Sequence, residues 1–354
     1  MWPPEQTHPT DMSIQTLAQD LGLSISTVSR ALNGYSDVAA QTRERVVQRA
    51  AELGYRPHPG ARSMKSSKSN AVGVILPMDE RGGQFINAFY SSLLGAIAGV
   101  LDARGYTLLV TTHFSPSVHD EVTRYEHLIH SRSVDGFVIV RTLLKDPRVQ
   151  LLHDRGVPFV TYGRSELNIE HPWVDTDNER AFELATQRQL RQGHQRIGLL
   201  NGPSKYTFAK LRRDGYERAL RNAGLTPTPA WIVEGDLTES SGYTLTSQLL
   251  GLPERPTALI CANDAMAIGA IASCRQHGLQ VGKDISIMGY GNSDASRYCD
   301  PPLSTIEHKV SDNGRHLGQL LLAQLDQLST PTLSYLEPVD LIARQSDGPA
   351  QASD

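Results

Sequence analysis

Cysteine is scarce in this chain of 354 residues: three thiols, Cys261, Cys274 and Cys299, stand in no metal-type spacing. An odd, scattered set excludes a disulfide framework and a zinc ribbon, and it fits the reduced thiols of a cytoplasmic protein. Cys261 sits in an apolar run and reads as core. Long hydrophobic runs are lacking too. The 39% of hydrophobic residues fall in stretches well short of the roughly 18 that would suggest a bilayer span, so no membrane helix is expected. Met1-Trp2-Pro3-Pro4-Glu5-Gln6 carries no basic segment followed by an apolar one, and no signal peptide is expected. There is no P-loop, no G-x-S-x-G elbow and no H-E-x-x-H. His113, His119 and His127 have no evident partners and suit a solvated surface. An enzyme, a metal site and a cofactor are therefore not expected.

What is present begins near the N-terminus. Ile14, Leu17, Ala18 and Leu21 recur at helical spacing, then Gly22-Leu23-Ser24 supplies a tight turn and an N-cap. The following helix buries Val28, Ala31 and Leu32. It leaves Ile25, Ser26, Ser29 and Arg30 on its outward N-terminal half, where a helix-turn-helix meets base edges and an arginine can hold guanine bidentately. Two short amphipathic helices around a glycine also occur in many globular proteins. A third helix follows over Val38–Leu53, with Val46, Val47, Ala50 and Leu53 on one face, closed by Gly54.

Charge divides the same way. Residues 11–69 hold eight Lys/Arg against five Asp/Glu, leaving 26 against 33 elsewhere and a net charge of −4. A basic head on an acidic body suits a phosphate-facing module, though ordinary surface solvation gives the same count. His58 to Asn70 is polar and basic, with too little apolar surface to be helical alone. Arg43, Arg62, Lys65 and Lys68 are candidate phosphate contacts.

From Ala71 apolar strands alternate with helical patterns. Strands are expected at Ala71–Leu76, Thr107–Val110, Gly136–Val140 and Pro158–Thr161, with intervening helices at Phe89–Arg104, around Asp120–Ser131 and around Arg148–Arg155. A second set starts at Trp173, with strands at Ile197–Leu200, Trp231–Glu234, Ala258–Cys261 and Ile285–Gly289. This alternation implies an α/β core of two doubly wound parallel-sheet lobes, with a ligand cleft beyond the strands' carboxyl ends. Four parts are expected: a helix-turn-helix module over 11–57, a linker over 58–69, a two-lobed ligand-binding domain over 70–345, and a short polar tail over 346–354.

The run Ser13 to Pro57, with Thr27-Val28-Ser29-Arg30, Leu32-Asn33 and Glu52-Leu53-Gly54-Tyr55-Arg56-Pro57, closely resembles the headpiece of the lac repressor/galactose repressor (LacI/GalR) family. Gly193-His194-Gln195-Arg196-Ile197-Gly198, Ala262-Asn263-Asp264-Ala265-Met266-Ala267 and Asp300-Pro301-Pro302-Leu303-Ser304-Thr305-Ile306 extend the likeness over nearly the whole chain. The resemblance implies a DNA-binding headpiece over 11–57, a hinge over 58–69, a periplasmic-binding-protein-like effector-binding and dimerisation domain over 70–345, and a homodimeric regulator that binds a palindromic operator. It assigns DNA contact to Ser24, Ile25, Ser26, Thr27, Ser29, Arg30 and Asn33, and to the hinge residues Ala61, Arg62 and Met64. Met64 stands where an apolar side chain, usually leucine, parts the central minor-groove step. His58 replaces a usual asparagine, and Gly60 weakens the hinge helix by roughly 1 kcal/mol relative to alanine.

For the effector the resemblance points to Phe89, Arg141, Arg164, Asp177, Lys210, Arg212, Asn263, Asp264 and Asn292. Core packing competes at Phe89, surface solvation at the arginines, and an N-cap role at Asp264. At Asn292 many relatives carry an aspartate pair, so Gly291-Asn292 replaces charge with an amide. Arg141-Thr142, Gly156 to Arg164 and His171 to Asp175 look like the α-glucoside-regulator branch. A neutral sugar inducer, such as a glucose-containing disaccharide, is the expected effector, with a purine-type corepressor as the alternative. A transport sugar-binding protein would share the lobes but would need a signal peptide and no headpiece. The hinge composition makes one prediction: without DNA, residues 58–69 have coil-like backbone chemical shifts. A fully formed hinge helix in the free protein would contradict it.

Overall fold

Ser13 opens the first helix by accepting the Thr16 amide hydrogen at 3.2 Å, and Gly22 ends it at φ 65°. The computed structural model describes residues 13–32, 34–55, 68–77, 88–113, 117–328 and 334–351. After α1 (Ile14–Leu21) come α2 (Ile25–Leu32) and α3 (Ala40–Glu52). Leu17, Ala18, Val28, Ala31, Val38, Val46 and Ala50 form their common core. The expected helix face shifts at two places. Leu32 is only partly buried, and Val47 is 51% exposed because it lies about 100° from Val46 on the helix. Val38 fills the core instead. These helices belong to a compact unit ending at Lys68, and Ser69 begins a second unit.

The second unit holds two six-stranded sheets, each built from five consecutive strands and one late strand. In the first sheet β1 (Ala71–Pro77), β2 (Thr107–His113), β3 (Gly136–Ile139), β4 (Phe159–Tyr162), β5 (Trp173–Thr176) and β11 (Ser334–Glu337) lie in the order β11-β5-β4-β3-β1-β2. The second has β6 (Ile197–Asn201), β7 (Ile232–Glu234), β8 (Ala258–Cys261), β9 (Ser286–Tyr290), β10 (Ser304–Glu307) and β12 (Asp340–Ile342), ordered β12-β10-β9-β8-β6-β7. All neighbours pair in parallel except β12, which runs antiparallel to β10. The helices are α4 (Ala88–Asp102), α5 (Val118–His130), α6 (Pro147–Asp154), α7 (Asn178–Arg191), α8 (Thr207–Asn222), α9 (Glu239–Leu250), α10 (Asp264–Gln276), α11 (Asp294–Tyr298) and α12 (Val310–Leu325). Among the described residues no helix is long and apolar enough to cross a membrane.

Two expectations are corrected here. Trp173 does not begin the second set, since its strand pairs with β4 and β11 in the first sheet. The chain passes between lobes three times, after Thr176, after Glu307 and after Glu337, and α12 returns to pack Leu317 and Leu321 into the first lobe's core. Second, the start of the expected tail is built into the second lobe. Ser346 is fully buried and donates its hydroxyl to the Ile287 carbonyl at 2.7 Å, and Asp347 accepts from Arg188 and Ser304.

Close approach of α9 and α10 depends on two glycines. A Cβ at Gly242 would lie 2.1 Å from the Met266 carbonyl oxygen, and one at Gly269 would lie 2.0 Å from that of Glu239. Backbone atoms cannot yield as a side-chain tip can. Gly269→Ala is therefore expected to lower unfolding stability by about 1–3 kcal/mol or more in urea denaturation, at unchanged secondary structure.

Candidate functional site

In the helical unit, Ser24 caps α2 by accepting the Thr27 amide hydrogen at 3.0 Å, and its hydroxyl lies 2.8 Å from those of Ser26 and Thr27. That cap fixes the N-terminal turn from which Ile25 projects, 48% exposed. An exposed isoleucine beside a row of hydroxyls is a poor solvent surface and a good partner for base edges and thymine methyls. Arg30, further along α2, pairs with Asp37 and lies over the Tyr35 ring at 5.2 Å. Both partners are about half exposed, so the pair contributes at most about 1 kcal/mol and gives way readily to a base or phosphate. Arg43 is used otherwise than expected: its guanidinium donates to the carbonyls of Tyr35 at 2.7 Å and Val38 at 3.2 Å, bracing the turn before α3. Asn33, Ala61, Arg62, Met64 and Lys65 lie outside the described residues, as does most of the hinge.

In the second unit the carboxyl ends of the strands converge on Arg212. This guanidinium, 8% exposed, donates to Asn178 Oδ1 at 2.8 Å and to the Ala262 carbonyl at 2.7 Å. Tyr290, Phe208 and Phe182 pack against it at 4.1, 4.6 and 5.3 Å. Asn178 in turn donates to Asp175 at 3.1 Å, and Asp175 receives Arg164 at 2.8 Å. The two arginines are thus joined across the lobes by one amide and one carboxylate. Burial raises the pKa of Asp175 and lowers that of Arg212, a cost that the shared hydrogen bonds offset.

Phe89 enters from the first lobe, 6.0 Å from the Tyr162 ring and 5.9 Å from His308. His308 stacks on Tyr290 at 4.6 Å. Arg141, at φ 51°, places its guanidinium 5.8 Å from both Tyr90 of the first lobe and Tyr206 of the second. Its backbone is held by Arg148, which donates to the Arg141 carbonyl at 3.0 Å while paired with buried Asp146 and Glu121. Thr207 then donates its amide hydrogen to the Thr142 carbonyl at 3.0 Å, fastening the lobes at this edge. Thr207 Oγ1, His308 Nδ1 and Asn313 Oδ1 are among the described side-chain atoms that are buried without a hydrogen-bond partner.

Phe89, Arg141, Arg164 and Arg212 are therefore brought to one region, whereas five expected residues are engaged elsewhere. Asp177 caps α7 through the Arg180 amide at 3.0 Å. Lys210 is exposed and pairs with Asp214 at 2.9 Å and Glu166 at 3.5 Å. Asn263, rather than Asp264, is the N-cap of α10, accepting from Met266 at 2.9 Å and donating to the Leu237 carbonyl at 2.8 Å. Asp264 is buried inside the second lobe, accepting from the Ser293 amide at 2.7 Å and the Thr305 hydroxyl at 2.6 Å. Asn292 lies between Glu307 and Arg344, so both ends of its amide are used. Sequence reading missed Tyr162, Asp175, Asn178, Tyr290 and His308. Tyr162, Asp175 and Tyr290 had a signal, as polar or aromatic residues at or near the end of an apolar strand.

This arrangement offers aromatic faces, hydrogen-bond donors and acceptors, and arginines of which two are already bonded to protein groups. It suits capture of a neutral, hydroxyl-rich or planar ligand. Comparison with known proteins agrees with the two-part plan. The family model described as bacterial regulatory proteins, lacI family, matches residues 13–58, and the periplasmic binding protein-like domain matches residues 186–346. The HTH-type transcriptional regulator AglR of Rhizobium meliloti (strain 1021) is 33% identical over 96% of this chain and 95% of its own. The structure of the lac repressor dimer bound to operator and the anti-inducer ONPF has a TM-score of 0.83 at 29% identity, covering 95% of this chain and 99% of that one. The transcriptional regulator CelR–cellobiose complex has a TM-score of 0.72 at 28% identity, again covering 95% and 99%.

Burial, reinforced by the Arg212 charge, pushes the His308 pKa down to about 3 from an ordinary value of 6.5. The unfolded chain therefore binds a proton below pH 6.5 that the native state refuses, and this group removes stability as pH falls from about 6.5 to about 3. Asp175 and Glu337, raised by burial, act in the opposite sense, so the variant difference isolates the histidine. His308→Gln is expected to flatten the acid decline of unfolding free energy in that window, measured by urea denaturation at stepped pH.

Proposed function

We propose, from the premise that this chain belongs to the lacI family of bacterial regulatory proteins, that it is a cytoplasmic repressor of carbohydrate-utilisation genes, released from a palindromic operator by a neutral sugar. The chain is a DNA-binding transcription regulator rather than an enzyme, like the relatives it matches. The observation that carries the effector reading is the bonded state of two cleft arginines. Arg212 and Arg164 are both joined to the Asn178–Asp175 pair, so a charged ligand would have to break existing bonds to use either of them. A sugar can instead lay an apolar ring face on Phe89 or Tyr162 and satisfy Thr207 Oγ1 and His308 Nδ1 with hydroxyls. The likeness to a cellobiose-bound regulator supports the class, and an α-glucoside or other glucose-containing disaccharide is the favoured member.

Two copies would place two α2 helices in successive major grooves, with Ser24, Ile25, Ser26, Thr27, Ser29 and Arg30 at the base edges and backbone. The homodimer follows from the half-site logic and from the dimeric lac repressor likeness. Effector would change the lobe angle and lower operator affinity through a coupling of about 1–3 kcal/mol. A purine-type corepressor is the second reading, because the rings of Phe89, Tyr162 and Tyr290 could also hold a planar base.

Thermal unfolding against mono- and disaccharides and purines separates the two. A ligand at 100 times its dissociation constant stabilises by about 2.7 kcal/mol. A shift confined to sugars, with operator release in fluorescence anisotropy, supports the proposal; a shift confined to purines overturns the sugar reading. Arg30→Ala is expected to weaken specific operator binding by about 1–3 kcal/mol while leaving the sugar shift intact.

A further inference from the structure

The three passages between the lobes meet at one buried carboxylate. Glu337, 1% exposed, ends β11 and begins the third passage. Its Oε2 accepts from the Thr176 hydroxyl at 3.1 Å, and its backbone carbonyl accepts the Asp177 amide hydrogen at 2.9 Å, both in the first passage. Its Oε1 accepts the Lys309 amide hydrogen in the second passage, and Asn313 in the first turn of α12 donates to Oε2. Every partner of this side chain donates, which calls for a carboxylate and leaves no place for an amide NH₂. The same Asn313 nitrogen lies 3.2 Å from the Tyr162 hydroxyl, and Tyr162 faces Phe89 in the cleft.

We infer that Glu337 is the hinge pin of the two-lobed body: a positioning residue that makes the three passages move as one and links their movement to the cleft through Asn313 and Tyr162. Without it each passage could loosen separately, and a change in the cleft would reach the lobe angle only in part. The inference stands whichever effector the cleft takes, since it rests on the passages alone.

The test is hydrogen exchange of the full chain, followed by mass spectrometry, for wild type, Glu337→Gln and Thr176→Val. Asp264→Asn, a buried carboxylate wholly inside the second lobe, serves as control. Glu337→Gln sets a donor against donors. It is expected to speed exchange about tenfold across 176–178, 307–310 and 337–340 together, while the strand interiors keep wild-type protection. Thr176→Val removes one tie and should give a smaller rise that still appears at 307–310 and 337–340, remote in sequence. The control should raise exchange within the second lobe and spare the joint response. Should Glu337→Gln fail to fold, Thr176→Val decides. Wild-type exchange at the remote passages, or a rise confined to the mutated segment, overturns the inference.

Discussion

The chain of hydrogen bonds from Arg164 through Asp175 and Asn178 to Arg212 is the constraint on which the cleft depends. Arg164 and Asp175 belong to the first lobe, Asn178 and Arg212 to the second, so a single polar thread crosses the first passage. The buried Arg212 guanidinium without it would carry a desolvation cost of several kcal/mol. With it, both arginines are fixed in position, and Asp175 offsets the charge of Arg164. The aromatic rings then gather around Arg212 because its flat faces are free for stacking once its edges are bonded.

The helical unit follows a different economy. It has few buried side chains, and its cap at Ser24 and its brace at Arg43 orient α2 rather than enlarge a core. What remains exposed is therefore informative. Ile25 stands in solvent although α2 has an apolar face to hide it on, and Arg30 is held by an exposed carboxylate that a nucleic acid can replace. Local order and a replaceable partner together make a surface prepared for DNA.

Most elements were legible in the sequence because helix and strand periodicity are local properties. The strand Ala258–Cys261 fell where the pattern placed it, and Gly22 marked the turn. Sheet membership was not legible: Trp173–Thr176 reads like any buried strand, and only its pairing with β4 and β11 assigns it to the first lobe. The cleft was legible in part. Arg212 and Phe89 stand in the polar and aromatic surroundings expected of a ligand site, yet Asp177 and Asp264 are bonded to backbone and hydroxyl groups that no spacing reveals. His308 was invisible because a single histidine after a short strand carries no pattern, and its stacking on Tyr290 comes from a distant segment.

The placement of unsatisfied atoms ties these observations to regulation. Buried polar groups without partners are costly, and one that lies beside a cleft gains a bond when a ligand supplies it. Thr207 begins α8 in the second lobe; Asn313 lies in the first turn of α12, packed on the first; His308 lies in the passage between. A ligand that satisfies two of them draws on both lobes at once and so favours one relative arrangement over others. Differential contact of that kind is what a small molecule needs in order to shift an equilibrium. On the proposed function, the unsatisfied atoms of the cleft would thus couple its occupancy to its lobe angle.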